Sequence, residues 1–184
     1  MDVETLIDAV IAREGGYVAD PADRGGPTRW GISEAVARQQ GYAGDMRALP
    51  RDEAAAIYKR RYWLRPRLDA VAARAPMLAA ELFDTGVNMG PAVAVGFLQR
   101  ALNALNRGGS DYAEIVVDGA VGPKTLAALT AFLARRGSAG EAVLVKAIDA
   151  LQGARYVELA ERQPSDEAFV YGWLANRVGE RVDG

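Results

Sequence analysis

A segment dense in glycine and proline, residues 15–32, most constrains what this chain can fold into. Before it, apolar residues recur at i, i+3, i+4 and i+7, which predicts an amphipathic helix over residues 3–14 that a glycine pair ends. Inside the segment, short extended stretches at residues 17–18 and 28–30 flank a glycine-containing turn. This pattern predicts a small β-hairpin directly after the first helix.

The remainder of the chain is typical of consecutive helices, with serine or proline at helix starts and glycine-containing breaks between helices. The predicted helices cover residues 33–40, 52–62, 76–87, 91–106, 123–136, 141–162 and 167–177. We therefore predict a mainly α protein with one small β-hairpin. Breaks at 88–91 and 106–118 are the best candidate boundaries, and we place a first domain at 1–88 and a helical one at 89–184.

The 184 residues include neither histidine nor cysteine. Ser-His-Asp and Cys-His catalysis and the usual zinc sites are therefore excluded, and catalysis must use carboxylates, hydroxyls, other polar groups or a bound cofactor. The chain carries 22 basic and 24 acidic residues, and its net charge of -2 argues against a strongly nucleic-acid-binding protein. No apolar run approaches the roughly 18 residues of a membrane-spanning helix.

Glu14 is the most informative titratable residue. At about 100° per residue, it falls within roughly 20° of Val3 around the first helix, in the direction of the apolar stripe. We expect its side chain to face the core at the helix C-terminus, and both placements favour the protonated form that a general acid needs. The alternative is that Glu14 rims the helix and pairs with an arginine.

A second carboxylate, Asp23, and a hydroxyl, Thr28, lie on the predicted hairpin. Two carboxylates flanking a cleft are the minimum apparatus of a glycosidase, because one protonates the leaving oxygen and the other activates water or stabilises an oxocarbenium ion. A threonine hydroxyl can orient the water. The surrounding glycines let the backbone approach a polymeric sugar closely.

The sequence EGGYVADPADRGGPTRWGI, at 14–32, resembles the N-terminal signature of glycoside hydrolase family 108, peptidoglycan-cleaving N-acetylmuramidases of phage and bacterial origin. The order Glu, Asp, Thr is also similar to that of phage-type lysozymes, with Thr28 one position closer to Asp23. The resemblance implies a lysozyme-like helical domain packed with a helical C-terminal subdomain. It makes Glu14 the catalytic acid, with Asp23 and Thr28 placing the water or stabilising positive charge.

Two further stretches are similar to helices of the same family, A-x-x-I-Y-K-x-x-Y-W at 54–63 and F-D-x-x-V-N-x-G at 83–90. Asp84 and Asn88 share one helix face, so both could reach a sugar; the alternative is a capping role at the helix end. Trp30 is a candidate for stacking on a pyranose ring, whereas the aromatic residues of the first stretch are expected mainly in the core.

The stretches F-L-Q-x-x-L-N at 97–103 and V-D-G-x-x-G-P-x-T-L at 117–126 resemble the peptidoglycan-binding module that accompanies this family. Free N–H groups at the helix start at Pro123 could bind a ligand; the alternative is that the turn only joins two helices. The same stretch does not fit a phosphate-binding loop, because Pro123 stands between the glycine and the lysine.

The resemblance implies peptidoglycan glycan strands as the substrate, a monomer, and neither a metal nor an organic cofactor. Because the N-terminus lacks the pattern of a secretory signal, we expect synthesis in the cytoplasm and action in the periplasm or cell wall after holin-type release, or a phage-derived particle protein. Two alternatives stay open: a lytic transglycosylase, and a non-catalytic protein that binds the wall or assists secretion. Retention or inversion at the anomeric carbon is also open.

Overall fold

The computed structural model describes residues 2–19 and 26–179. These residues form eight α-helices and one small antiparallel sheet of three strands, which confirms the predicted mainly α class with its small β element. The chain divides into two compact units, Met1–Arg65 and Pro66–Gly184. Among the described residues, no helix is long and apolar enough to cross a lipid bilayer.

The described residues of the first unit form three α-helices and all three strands of the sheet. Its elements are α1 (Val3–Glu14), β1 (Tyr17–Val18), β2 (Thr28–Arg29), β3 (Ile32–Ser33), α2 (Glu34–Gln39) and α3 (Arg51–Tyr58). A 3-10 turn, Met46–Ala48, precedes α3, and a π-helical segment, Lys59–Leu64, follows it directly. The predicted helix over 52–62 therefore continues without a break but changes its hydrogen-bonding pattern part-way.

Helix α1 buries one apolar face, made of Leu6, Ile7, Val10 and Ile11, as the periodicity predicts. It packs against α3 and the π-helical segment. Two ion pairs join the same elements at the surface, Arg51 with Asp8 at 2.7 Å and Lys59 with Glu4. Because exposed ion pairs contribute little, the buried apolar face supplies most of the stability that fixes α1.

The sheet has the order β1-β2-β3, with Tyr17 opposite Arg29 and Arg29 opposite Ile32. The strand β3 was absent from the predicted hairpin, because it is only two residues long and runs directly into the Ser33 cap of α2. Ser33 accepts a hydrogen bond from the backbone N–H of Val36 at 3.5 Å. The two residues between β2 and β3, Trp30 and Gly31, form a tight turn.

Among its described residues, the second unit contains helices and no β-strand. Its helices are α4 (Leu68–Ala72), α5 (Pro76–Met89), α6 (Pro91–Ala104), α7 (Pro123–Arg162) and α8 (Glu167–Arg177). Proline begins α5, α6 and α7, as predicted from the sequence. Gly137 interrupts α7 with φ 61° and ψ -157°, close to the predicted break after residue 136.

Helix α5 lies in the second unit because it packs on α4, α6 and α7. The predicted boundary between residues 88 and 89 falls at the last residue of α5, and it stays a prediction. One contact that ties α5 to α7 is unusual, because the buried carboxylate of Glu141 accepts from the N–H groups of Met77 (2.7 Å) and Leu78 (3.1 Å). A residue distant in sequence thereby caps the N-terminus of α5.

Candidate active site

Glu14 is the last residue of α1, and its side chain is exposed. The prediction that it faces the core is wrong, because the buried part of the apolar stripe ends at Ile11 and the helix end projects beyond the core. The predicted direction nevertheless brings Glu14 against the turn of the sheet. A Cβ built on Gly31 would lie 2.9 Å from both Cβ and Cγ of Glu14.

The turn at Trp30 and Gly31 has left-handed backbone at both positions, with φ 56° for Trp30 and φ 74° for Gly31. Two-residue hairpin turns of this kind favour asparagine and glycine, so glycine fits at position 31 whereas the bulky Trp30 is strained. Position 31 also requires glycine for steric reasons, because a Cβ there would overlap the hydroxyl oxygen of Tyr58 and would approach Glu14.

Two hydrogen bonds hold Trp30 in this conformation. The indole Nε1 donates to the carbonyl oxygen of Leu49 at 3.0 Å, and the carbonyl oxygen of Trp30 accepts from the Tyr58 hydroxyl at 3.1 Å. The guanidinium carbon of Arg29 lies 5.3 Å from the centre of the indole ring. Trp30 is therefore anchored to the protein at several points, and its predicted stacking on a sugar stays a prediction.

Tyr58 is the last residue of α3 and is almost completely buried, with 1% of its surface exposed. Burial, followed by the charge of Glu14, raises the pKa of Tyr58 well above its usual range. The hydroxyl therefore keeps its proton and remains a hydrogen-bond donor. The expectation of a core aromatic is confirmed, but the contact of its hydroxyl with the turn next to Glu14 was missed, because nothing in the sequence spacing indicates it.

The other two predicted catalytic residues lie on the polypeptide that precedes this turn. Thr28 is half-buried in β2, opposite Val18 and Ser33. Asp23 lies outside the described residues, so its predicted role stays a prediction. Three or more aspartate or glutamate residues placed to bind a metal ion do not occur together among the described residues.

The predicted sugar-binding residues Asp84 and Asn88 lie on α5 in the second unit. They share one face as predicted, and the Asn88 side chain donates to the Asp84 backbone oxygen (2.9 Å) and to its carboxylate (3.0 Å). Arg177 of α8 donates to the side-chain oxygen of Asn88. These contacts give Asn88 a role at the helix end, and contact with a sugar stays a prediction.

A half-buried carboxylate cluster beside Asp84 was missed by sequence reasoning. Burial, then the charges of Asp149 and Asp84, raises the pKa of Glu81 to about 8. The Thr85 hydroxyl donates to Glu81 at 3.3 Å. Glu81 and Asp149 lie on different helices far apart in the sequence, so no local pattern indicates that they meet.

The D-G-x-x-G-P-x-T stretch forms a turn closed by Gln99, which is 1% exposed. The Gln99 amide donates to the carboxylate of Asp118 at 2.7 Å and to the hydroxyl of Thr125 at 3.2 Å, and its oxygen accepts from the Gly119 N–H at 2.9 Å. Hydrogen bonds from Gln99 and from the N–H of Ala120 lower the pKa of Asp118. The polar groups of this turn therefore bind one another and join α6 to α7.

Comparison with known families assigns both parts of the chain. Residues 7–90 match the family model for glycosyl hydrolase 108. The N-terminal half of the chain belongs to glycosyl hydrolase family 108. Residues 93–178 match a second model, described as a predicted peptidoglycan domain. The protein is therefore a glycoside hydrolase, and the pair of domains makes it a peptidoglycan hydrolase of the family 108 type, as the resemblance implies.

One solved structure resembles the chain over almost its whole length. The structure of Brucella abortus SagA aligns with a TM-score of 0.59, 24% sequence identity, and coverage of 97% of this chain and 96% of that chain. At this identity the likeness supports the fold, including the lysozyme-like helical class predicted above. No curated protein matches the chain.

Proposed function

We propose that this peptidoglycan hydrolase cleaves the β-1,4 bond between N-acetylmuramic acid and N-acetylglucosamine, with Glu14 as the general acid. The observation that carries the proposal is the placement of Glu14 in the family 108 domain, where an exposed carboxylate at a helix end lies against a strained turn. Strained backbone persists only where its surroundings fix it, and such positions cluster at functional sites.

In the proposed reaction, Glu14 gives its proton to the glycosidic oxygen as the bond from that oxygen to the anomeric carbon of the muramic acid breaks. The electron pair of the bond leaves with the oxygen, and the sugar ring acquires oxocarbenium character. Asp23 and Thr28 stabilise this charge or orient a water molecule. The water oxygen then bonds to the anomeric carbon and gives its proton to a carboxylate, that of Asp23 or the one left on Glu14 by the first step, which leaves a new reducing end.

The proposal extends to the biological setting. We propose a phage-type endolysin, made in the cytoplasm and acting as a monomer on peptidoglycan after holin-type release, with bacteriolytic activity as the outcome. Asp84, Asn88 and Trp30 are proposed contacts to the glycan. Support comes from the family 108 match, from the second peptidoglycan domain, and from the motif similarity at residues 14–32.

The test is the digestion of purified peptidoglycan by wild-type protein and by Glu14→Gln, which keeps the shape of the side chain and removes its acid. Loss of a general acid typically costs about 10²- to 10⁴-fold in rate, so we expect a loss in this range with an unchanged melting temperature. Glu53→Gln is the matched control, because this carboxylate pairs with Arg60 at 3.1 Å on the surface of the same unit.

The chemistry of the new ends is read by mass spectrometry after borohydride reduction. Reducing muramic acid ends support the proposal, whereas 1,6-anhydro ends indicate a transglycosylase and reducing glucosamine ends indicate cleavage of the other bond. A Glu14→Gln protein that digests peptidoglycan as fast as the wild type would exclude Glu14 as the acid. A folded wild-type protein that sediments with the wall but releases no ends would indicate a binding protein.

A further inference from the structure

We propose that Tyr58 is a positioning residue for Glu14, acting through the turn at Trp30 and Gly31. This inference rests on the proposed role of Glu14 as the acid. In it, the Tyr58 hydroxyl fixes the backbone surface against which the Glu14 side chain lies, so that the carboxyl group is held in one direction for proton transfer. Tyr58 itself does not contact the substrate, since it is almost completely buried.

Gly31 lies at a three-way contact with Tyr58 and Glu14. Gly31 has no room for a Cβ. A Cβ built there would overlap the Tyr58 hydroxyl and would lie 2.9 Å from Cβ and Cγ of Glu14. The aliphatic part of Glu14 therefore rests on bare backbone. A shift of the turn would change the space available to this side chain.

The backbone of the turn is strained at Trp30. Trp30 has φ 56°, a conformation that a bulky residue adopts only when other contacts impose it. Its two hydrogen bonds, from the indole to Leu49 and from Tyr58 to the Trp30 carbonyl, are those contacts. Removing the Tyr58 hydroxyl leaves a single hydrogen bond to hold a strained residue, and we expect the turn to relax.

Glu14 reaches this contact from a helix that is itself packed on α3. Glu14 belongs to α1, which packs through its buried face on α3, the helix that ends at Tyr58. The main chain of Glu14 is therefore fixed relative to Tyr58, and relaxation of the turn changes the support of the Glu14 side chain only. Such a defect lowers the rate of the bound complex, because a small misplacement of a catalytic group is costly while substrate contacts elsewhere are unchanged.

The experiment measures kcat and KM separately, using soluble glycan strands prepared from peptidoglycan. Tyr58→Phe keeps the ring and removes the hydroxyl, and we expect kcat to fall about tenfold or more with KM within about twofold of the wild type. The matched control is Tyr42→Phe, because the Tyr42 hydroxyl also donates to a backbone oxygen, that of Asp45, at 2.9 Å. We expect this variant to keep the wild-type kcat.

A merely structural role for Tyr58 would lower the melting temperature without a change in the kcat of folded protein, and that result would overturn the inference. If Tyr58→Phe does not fold, Trp30→Phe replaces it, because this variant removes the indole donor to Leu49, the other support of the turn. The same fall in kcat with KM within about twofold of the wild type supports the inference, whereas an unchanged kcat, or a rise in KM alone as expected from loss of a glycan contact, overturns it.

These outcomes are distinct from failure of the proposed function. An inactive Glu14→Gln combined with a fully active Tyr58→Phe would overturn the positioning role and leave Glu14 as the acid. A fully active Glu14→Gln would remove the proposed acid and, with it, the basis of the positioning role.

Discussion

Two glycine-containing turns, one in each unit, show opposite ways of using polar groups. At Asp118-Gly119 in the second unit, Gln99 binds the carboxylate, the N–H and a nearby hydroxyl, so the turn is closed upon itself. At Trp30-Gly31 in the first unit, hydrogen bonds hold a strained backbone, and the carboxylate that lies against it is exposed.

Both glycines adopt left-handed backbone and both exclude a side chain, so the glycines themselves do not distinguish the turns. A Cβ on Gly119 would lie 2.8 Å from the carbonyl oxygen of Ala92, whereas a Cβ on Gly31 would approach Glu14. What differs is the neighbour for which the glycine leaves room. Gly119 allows the turn to pack closely on Ala92 of α6, whereas Gly31 allows an accessible acid to lie against the turn. The same motif element can therefore indicate a structural joint or a chemical site.

The largest expected difference between the turns appears when the glycine of each turn is replaced by alanine, since one variant should lose activity and the other stability. Gly31→Ala forces a Cβ against Glu14 and Tyr58, and we expect kcat to fall about 100-fold or more because the acid is displaced. Gly119→Ala forces a Cβ against backbone, and we expect a loss of about 2–4 kcal/mol in the free energy of unfolding. Rates at a temperature where both variants are folded, together with chemical denaturation, provide the measurement.

For Gly119→Ala we expect a kcat within about twofold of the wild type once the folded fraction is accounted for. Equal losses of kcat in both variants would show that the comparison is wrong and that the second turn also serves the chemistry.

A smaller effect is expected from Gln99→Leu, which keeps a similar volume but removes the hydrogen bonds that Gln99 makes to the second turn. Asp118, Gly119 and Thr125 then lose a buried partner, at a cost of about 2–3 kcal/mol for the second unit. Denaturant unfolding followed by amide exchange of α6 and α7 measures it. Thr130→Val is the control, since its hydroxyl bonds only to exposed groups, Leu126 and Arg74; a similar loss in both variants would contradict the prediction.

The smallest expected effect concerns the carboxylate cluster of Glu81, Asp84 and Asp149 in the second unit. The pKa of Glu81 is raised to about 8, chiefly by burial. An acid with a raised pKa in the folded state contributes stability that is complete below its unfolded pKa and is lost as the pH rises to about 8. We expect the wild type to lose about 1–2 kcal/mol between pH 5 and pH 8 through this group, after allowance for solvent screening.

Glu81→Gln cannot ionise, so it should remove this part of the pH dependence and melt at a higher temperature than the wild type at pH 8. Thermal unfolding at pH 5 and pH 8 checks the prediction. A slope with pH that is the same in both proteins would show that Glu81 stays ionised in the folded state.

The helices could be predicted from the sequence wherever the signal is local. The apolar stripe defined α1 from Val3 to Glu14, proline marked the starts of α5, α6 and α7, and glycine near residue 137 marked the break in α7. The short strand β3 and helix α4 were missed, because two and five residues carry too little periodicity to be recognised.

The candidate site could be predicted only as far as its motif extends. Glu14 was identified by resemblance and by its direction on α1, but its exposure was mispredicted, because a helical wheel gives direction and contains no information on where the core ends. Tyr58 and Gly31 meet Glu14 through tertiary contacts between elements separated in the sequence. The cap that Glu141 provides for α5 was missed for the same reason.

The π-helical segment Lys59–Leu64 follows Tyr58 directly, and it differs from an α-helix in the number of residues that each turn holds. A π-turn holds about one residue more than an α-turn, and one residue rotates a helix by about 100°. Trp63 is buried here and Leu64 is 47% exposed. Because the wider turns absorb the extra residue, deleting one residue would let the segment become α-helical while the helical phase on either side is kept. The segment should therefore tolerate the loss of one residue better than an ordinary α-helix of the same length.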